Sequence, residues 1–180
     1  SNTSSSMLQM KLLQQLPDIL TAPLSAMEIS LAYIIGGTVR GTVNGILVML
    51  LGVVLIDMPV HQPLATIGFI VMVSWAFASM GLVLGQLSDS WDQLAMMQNF
   101  FLTPLSFLGG VFYSVNMLPD WAQKLSYFNP IYYMINGIRF TILGIADSPP
   151  MTSFTMALIM TIFFTLSAII LMHSGRKIKQ

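Results

Sequence analysis

Residues 29–56, ISLAYIIGGTVRGTVNGILVMLLGVVLI, carry a single ionic side chain, Arg40, in an otherwise apolar run relieved by glycine, hydroxyl and amide groups. Such a run exceeds the ~20 residues that an α-helix needs to cross ~30 Å of hydrocarbon. Working outward from it, residues 58–88, 93–119 and 148–175 contain no Asp, Glu, Lys or Arg. Each gap is long enough for a further crossing. These gaps place helices at 64–86, 94–114 and 152–172. The expected fold is therefore an all-α integral membrane protein whose four spans, 29–56 included, form a single domain over 1–180.

Composition agrees with lipid as the solvent. Of 180 residues, 55% are hydrophobic and 8% charged, with a mean hydropathy of +0.77. Soluble domains carry about 25% charged residues. Lys and Arg balance Asp and Glu, and no basic stripe exists, so nucleic acid is excluded as a partner. The chain has no cysteine, which removes disulfides, thiolate metal sites and cysteine nucleophiles. His61 and His173 stand apart, and there is no His-x-x-His pair, glycine-rich phosphate loop or Walker lysine. No catalytic group or metal site is expected, and any ATP must be bound by another chain. The 15 methionines are scattered through the spans as packing or lipid-facing residues.

Two segments do not read as spans. In 115–151, Pro119, Pro130, Pro149 and Pro150 break the run, and aromatic residues are frequent. This pattern predicts two short amphipathic helices over 116–145, at the interface or dipping back as a re-entrant hairpin. Pro119 and Pro130 suit first helical positions, with Asn129 as the second helix's cap. In 7–28, MLQMKLLQQLPDILTAPLSAME, the residues Met7, Met10, Leu13 and Leu16 recur at intervals of three, and Pro17 and Pro23 end any long helix. This is a juxtamembrane helix on the surface or a docking helix for a cytoplasmic partner. The N-terminus, SNTSSSMLQMKLLQQL, has neither an initiator Met nor a signal-peptide core, so a longer parent chain is expected.

Four spans put both ends on one side. With the ends cytoplasmic, Lys11, Arg176, Lys177 and Lys179 are inside and Lys124 and Arg139 outside, in keeping with the positive-inside rule. The turn at 57–63 and the hairpin then face outward, and 87–93 and the tail 173–180 face the cytoplasm.

Three features stand out within the spans. Gly37, Gly41 and Gly45 fall on one helical stripe and let another backbone approach, either in the same subunit or in a second copy. Arg40 and Asn44 form a polar stripe beside them. Arg40 either snorkels near an interface, about 18 Å into its helix at the helical rise, or lines a pathway. Pro104 interrupts the third span, with Thr103, Ser106, Gly109 and Gly110 around it, as a static kink or a hinge beside a pathway.

These residues together resemble a family. The stretch 100–145, FFLTPLSFLGGVFYSVNMLPDWAQKLSYFNPIYYMINGIRFTILGI, is similar to the type-2 ABC exporter permeases, which include multidrug, nodulation-factor and polysaccharide exporters. The likeness rests on Thr103-Pro104-Leu105, the run 108–114, Leu118-Pro119, Asn129-Pro130, and Tyr133 and Arg139 before Gly144. The stretch 12–41, with Leu20-Thr21-Ala22-Pro23 ahead of the first span, looks like the same family.

The resemblance implies that these spans are the third to sixth of the family's set, the first two being absent. It makes 7–23 the coupling helix that docks on a cytoplasmic ABC ATPase, with Met10, Leu13, Leu16, Asp18 and Leu20 as the contacts. It makes 116–145 an outer hairpin capping the exit, marked by Pro119, Asn129, Pro130, Tyr133 and Arg139. Two permeases would work with two ATPase subunits in a bacterial inner membrane. ATP and Mg would sit on the ATPase and no cofactor on this chain. Arg40, Asn44, Thr103 and Ser106 are the candidates for lining the path of a drug, lipid or glycan-type cargo. Coupling-segment charges are sparse, with only Lys11, Asp18 and Glu28 near it. The competing reading is a membrane scaffold or assembly subunit that moves nothing. An intramembrane enzyme lacks paired carboxylates, a Ser/Lys pair and metal ligands.

Overall fold

The computed structural model describes residues 2–13, 24–112 and 114–174. Every regular element among the described residues is helical. In chain order these are α1 (Asn2–Leu12), α2 (Ala26–Ile56), α3 (Pro63–Leu87), α4 (Trp91–Met97), a π-helical stretch (Gln98–Leu102), α5 (Thr103–Leu108), a 3₁₀ turn (Val115–Met117), α6 (Asp120–Tyr127), α7 (Pro130–Leu143) and α8 (Pro150–Ser174).

Three of the described helices, α2, α3 and α8, are long and apolar enough to cross a membrane. They match the expected spans 29–56, 64–86 and 152–172 to within a few residues at each end. The start of α2 is set by a capping box. Ser25 N–H donates to Glu28 Oε2 at 2.7 Å, and Glu28 N–H donates to Ser25 Oγ at 3.2 Å. Val48, Val54, Leu55 and Ile56 of α2 are 69–75% exposed, a cost in water that hydrocarbon removes.

The expected span 94–114 is not one helix. Helical residues run Trp91–Leu108 in three pieces and stop at Gly109 and Gly110, the latter at φ 79°. Pro104 has no N–H to offer the turn before it, and the backbone widens there: Thr103 N–H reaches Gln98 O, five residues back.

Helix α3 is the hub. Its Ile70, Ser74 and Ala78 lie against Gly45, Gly41 and Gly37 of α2, so two stripes of period four mesh in antiparallel register. On another side, Trp75 Nε1–H donates to Thr165 Oγ1 (3.0 Å), Ser79 Oγ shares a 3.0 Å bond with the same hydroxyl, and Gln86 Nε2–H reaches Ala168 O (3.2 Å), joining α3 to α8. Lipid gives helices no hydrophobic reason to associate, so close van der Waals packing and such interhelical bonds hold the bundle.

Contacts also sort the connections by end. At one end, His61 and Gln62 N–H donate to Ile142 and Thr141 carbonyls, tying the 57–62 turn to α7. At the other, Lys11 of α1 reaches Ser88 O (3.1 Å) and Asp89 (2.5 Å) just beyond α3.

The segment 116–145 does form two short helices. Asn129 caps α7, its Oδ1 accepting from Ile131 N–H at 3.0 Å, with Pro130 at the first turn. Pro119 is the N-cap of α6 rather than its first residue: at ψ 150° it is extended, and its carbonyl accepts from Ala122 and Gln123 N–H. Helix α7 buries Ile131, Tyr132, Tyr133, Met134, Asn136 and Gly137 against the bundle. Its close seat on α3 is set by Gly137, whose missing Cβ leaves room for the Phe69 ring.

Candidate functional site

Arg40 lies on the exposed face of α2, one residue from the packed glycine stripe. Its neighbour Gly41 meets Ser74, near the middle of the 25-residue α3. Arg40 is therefore level with the middle of α3, which bears on the choice between snorkelling near an interface and lining a pathway. Its stem falls short of the roughly 15 Å between midplane and headgroups. Two clefts open on either side of it. One, of about 280 Å³, is lined by Asn44, Val73, Ser74 and Phe77, with Thr3 and Gly41. The other, of about 150 Å³, is lined by Ser6, Tyr33 and Gly36. Asn44 is exposed on the same stripe, one turn along. Arg40 has no hydrogen bond or ion pair among the described residues.

The second constellation sits at the hairpin end. Asp147, with its side chain 8% exposed, accepts from Arg139 Nη1 (2.9 Å), Ser114 Oγ (2.7 Å), Asn116 Nδ2 (3.2 Å) and Val115 N–H (3.3 Å). Arg139 Nη2 also donates to Gly110 O at 2.6 Å. Asn136 completes the knot: its Oδ1 accepts from Asp147 N–H (2.7 Å), and its Nδ2 donates to Ser148 and to Ser153 Oγ (2.8 Å). A buried carboxylate met by a guanidinium and several neutral donors is satisfied, and it fixes the end of α5, the 3₁₀ turn, α7 and the start of α8 relative to one another. Asn129 Nδ2–H to Leu105 O (2.5 Å) and Ser126 Oγ–H to Leu108 O (2.8 Å) tie the hairpin to α5 from the other side.

The third is α1. Its start is polar, NTSSS, yet Thr3 and Ser4 are buried. Thr3 lies against Gly37, and Ser4 and Met7 against Gly85, so small side chains fill glycine grooves of α2 and α3. Gln98 Nε2–H bonds Ser4 Oγ at 2.9 Å. The helix expected from residue 7 thus begins at Asn2, because packing rather than amphipathicity selects its inner face.

The remaining sequence-selected residues fall as follows. Met10 faces inward, its sulfur beside the Tyr33 hydroxyl, and Leu13 is exposed. Leu16, Asp18 and Leu20 lie outside the described residues, as does the end of the tail, 175–180. Thr103 is exposed, and Ser106 Oγ–H bonds Leu102 O (2.8 Å). These two sit on α5, which packs against α7 rather than against α2, so they do not join Arg40 and Asn44 in one cleft. Tyr133 Oη–H donates to Tyr127 O (2.9 Å). Sequence reasoning missed Asp147 and Asn136. The only signal was a lone acid eight residues after Arg139, and that spacing means nothing until Gly144 reverses the chain.

The chain matches the family model described as ABC-2 type transporter over residues 1–143. It is 35% identical over 179 residues to the Inner membrane transport permease YadH of Escherichia coli (strain K12), covering 99% of this chain and 70% of that protein. It is 39% identical over 70 residues to Nodulation protein J of Sinorhizobium fredii (strain NBRC 101917 / NGR234), covering 39% of this chain and 27% of that protein. Nodulation protein J of Rhizobium leguminosarum bv. viciae is also 39% identical, over 69 residues, covering 38% of this chain and 27% of that protein. No solved structure gives a significant match.

Proposed function

This chain belongs to the ABC-2 type transporter family, and from that premise we propose that it is the membrane-embedded permease part of an ATP-driven exporter. Two copies enclose a path for a drug, lipid or glycan-type cargo in a bacterial inner membrane. A separate cytoplasmic ABC subunit binds and hydrolyses ATP with Mg. The Lys11–Asp89 end faces the cytoplasm and the α6–α7 hairpin faces outward. Of the coupling segment 7–23, Met7, Leu8 and Met10 are packed into the bundle, so docking on the ATPase falls to exposed Leu13 with Leu16, Asp18 and Leu20. Thr103 and Ser106 flank Pro104 in the broken third crossing, where the π turn before it gives a place to bend.

One observation carries the transport reading over an inert scaffold. An arginine unpaired among the described residues, open to the surface midway along a helix that is otherwise almost wholly apolar, is expensive unless it faces water, a ligand or a partner. A transport path puts water or a ligand beside it, whereas a scaffold meets its cost only where a partner covers this face.

The test is co-expression of the full-length permease with its ABC subunit, followed by co-purification and ATP turnover in proteoliposomes. The complex should hold together and turn over ATP in response to cargo. Combined Leu16→Ala, Asp18→Ala and Leu20→Ala should uncouple it. An ABC subunit that neither binds nor responds would overturn the exporter reading. Intact assembly and transport in the triple variant would overturn the docking assignment alone.

A further inference from the structure

We infer that the clefts flanking Arg40 bind the phosphate head of an anionic amphiphile. The charge balance at the site is the starting point. Helices α1, α3 and α8, which pack around α2, contain no Asp or Glu. Within α2 the nearest carboxylate is Glu28, three turns away and engaged by Ser25. Asp57 lies beyond the far end of the helix. No described group at this depth neutralises Arg40. A second copy meeting this face about a two-fold axis would bring another arginine and deepen the need for an anion.

The lining specifies what kind of anion. Around the guanidinium stand neutral polar groups, Thr3, Ser6, Asn44 and Ser74, with no competing carboxylate among the described residues. A planar fork of donors among neutral hydroxyl and amide groups suits a tetrahedral oxyanion with several acceptor oxygens. Val73 and Phe77 continue the larger cleft as an apolar wall, which suits an attached chain rather than a free ion. Two sources share that chemistry, a bilayer lipid drawn into the groove and a transported phosphate-bearing cargo. A resident lipid headgroup normally stays about 15 Å from the midplane. The permease reading is needed for the ligand's passage but not for its binding.

The experiment uses the full-length permease without its ATPase, in maltoside micelles that contain no phosphate. Dodecyl phosphate is titrated against dodecanol as the uncharged control, with binding followed by the shift in thermal unfolding. Dodecyl phosphate should bind saturably and dodecanol should not. Arg40→Gln should weaken binding about tenfold or more. Arg40→Lys should keep part of it, because it retains charge but not the fork. Asn44→Ala provides a second, structurally mild loss of a donor and should weaken binding a few-fold. Competition by phosphatidylglycerol assigns the site to a bilayer lipid, and resistance to it assigns the site to cargo. Equal binding of both probes, or unchanged dodecyl phosphate binding in Arg40→Gln and Asn44→Ala, overturns the inference. That result would leave ATPase co-purification, and with it the permease reading, untouched.

Discussion

Replacing Asp147 by alanine tests how the hairpin end is held. In the native arrangement the carboxylate is 8% exposed and Arg139 21%, and the pair is supported by Ser114, Asn116, Val115 N–H and Gly110 O. Removing one partner of a buried pair costs roughly 3–5 kcal/mol, because the other charge is left without compensation. Arg139 keeps some exposure and the Gly110 carbonyl, so the low end of that range, about 3 kcal/mol, applies. At about 1.4 kcal/mol per factor of ten, local opening of the hairpin should become roughly a hundredfold more frequent. Amide exchange across α6 and α7, measured in nanodiscs, reads that opening directly, and α2 serves as the internal control. Asp147→Asn keeps the shape and an acceptor oxygen, so its effect should be nearer tenfold. The double variant Arg139→Ala/Asp147→Ala should cost clearly less than the sum of the singles, because the residues act as one unit. If Asp147→Ala changes protection in α7 by less than about threefold, the knot does not hold the hairpin.

Other positions give sharper contrasts. Gly137→Ala would drive a methyl into the Phe69 ring and should destabilise by about 1–3 kcal/mol; Gly36→Ala and Gly68→Ala meet open space and should be neutral or slightly stabilising in thermal unfolding. Tyr133→Phe loses the bond to Tyr127 O and should cost about 1 kcal/mol. Tyr132→Phe removes a buried hydroxyl that has Ser148 beside it but no well-formed hydrogen bond among the described residues, and should cost less than Tyr133→Phe. Gly85→Ala would place a methyl 2.8 Å from Ser4 O, so it should release α1 and raise amide exchange in residues 2–12 while leaving α8 protected.

Much of the fold was legible because the signal is one-dimensional. Charge-free gaps located α3 and α8, and an apolar run broken only by Arg40 located α2, since transfer into hydrocarbon depends on composition along a window and not on neighbours. Asn129 and Pro130 were legible for the same reason, because capping is a contact with the next few residues. Pro104 marked the segment 94–114 as irregular. Where the helix ends, at Gly109 and Gly110, depended on Arg139, which donates to the Gly110 carbonyl from α7. The same limit hid the inner face of α1. Thr3 and Ser4 look like solvent residues until glycines 37 and 85 supply grooves that fit them.

By itself, then, the sequence determined that this protein lives in lipid, roughly where it crosses, and which motifs tie it to its family. Only the tertiary structure decided the depth of Arg40, which came from Gly41 meeting Ser74, and the partner of Arg139, which is Asp147 on the far side of a turn. Partition into lipid sums over neighbouring residues, whereas register and ion pairing depend on distances between residues far apart in the chain.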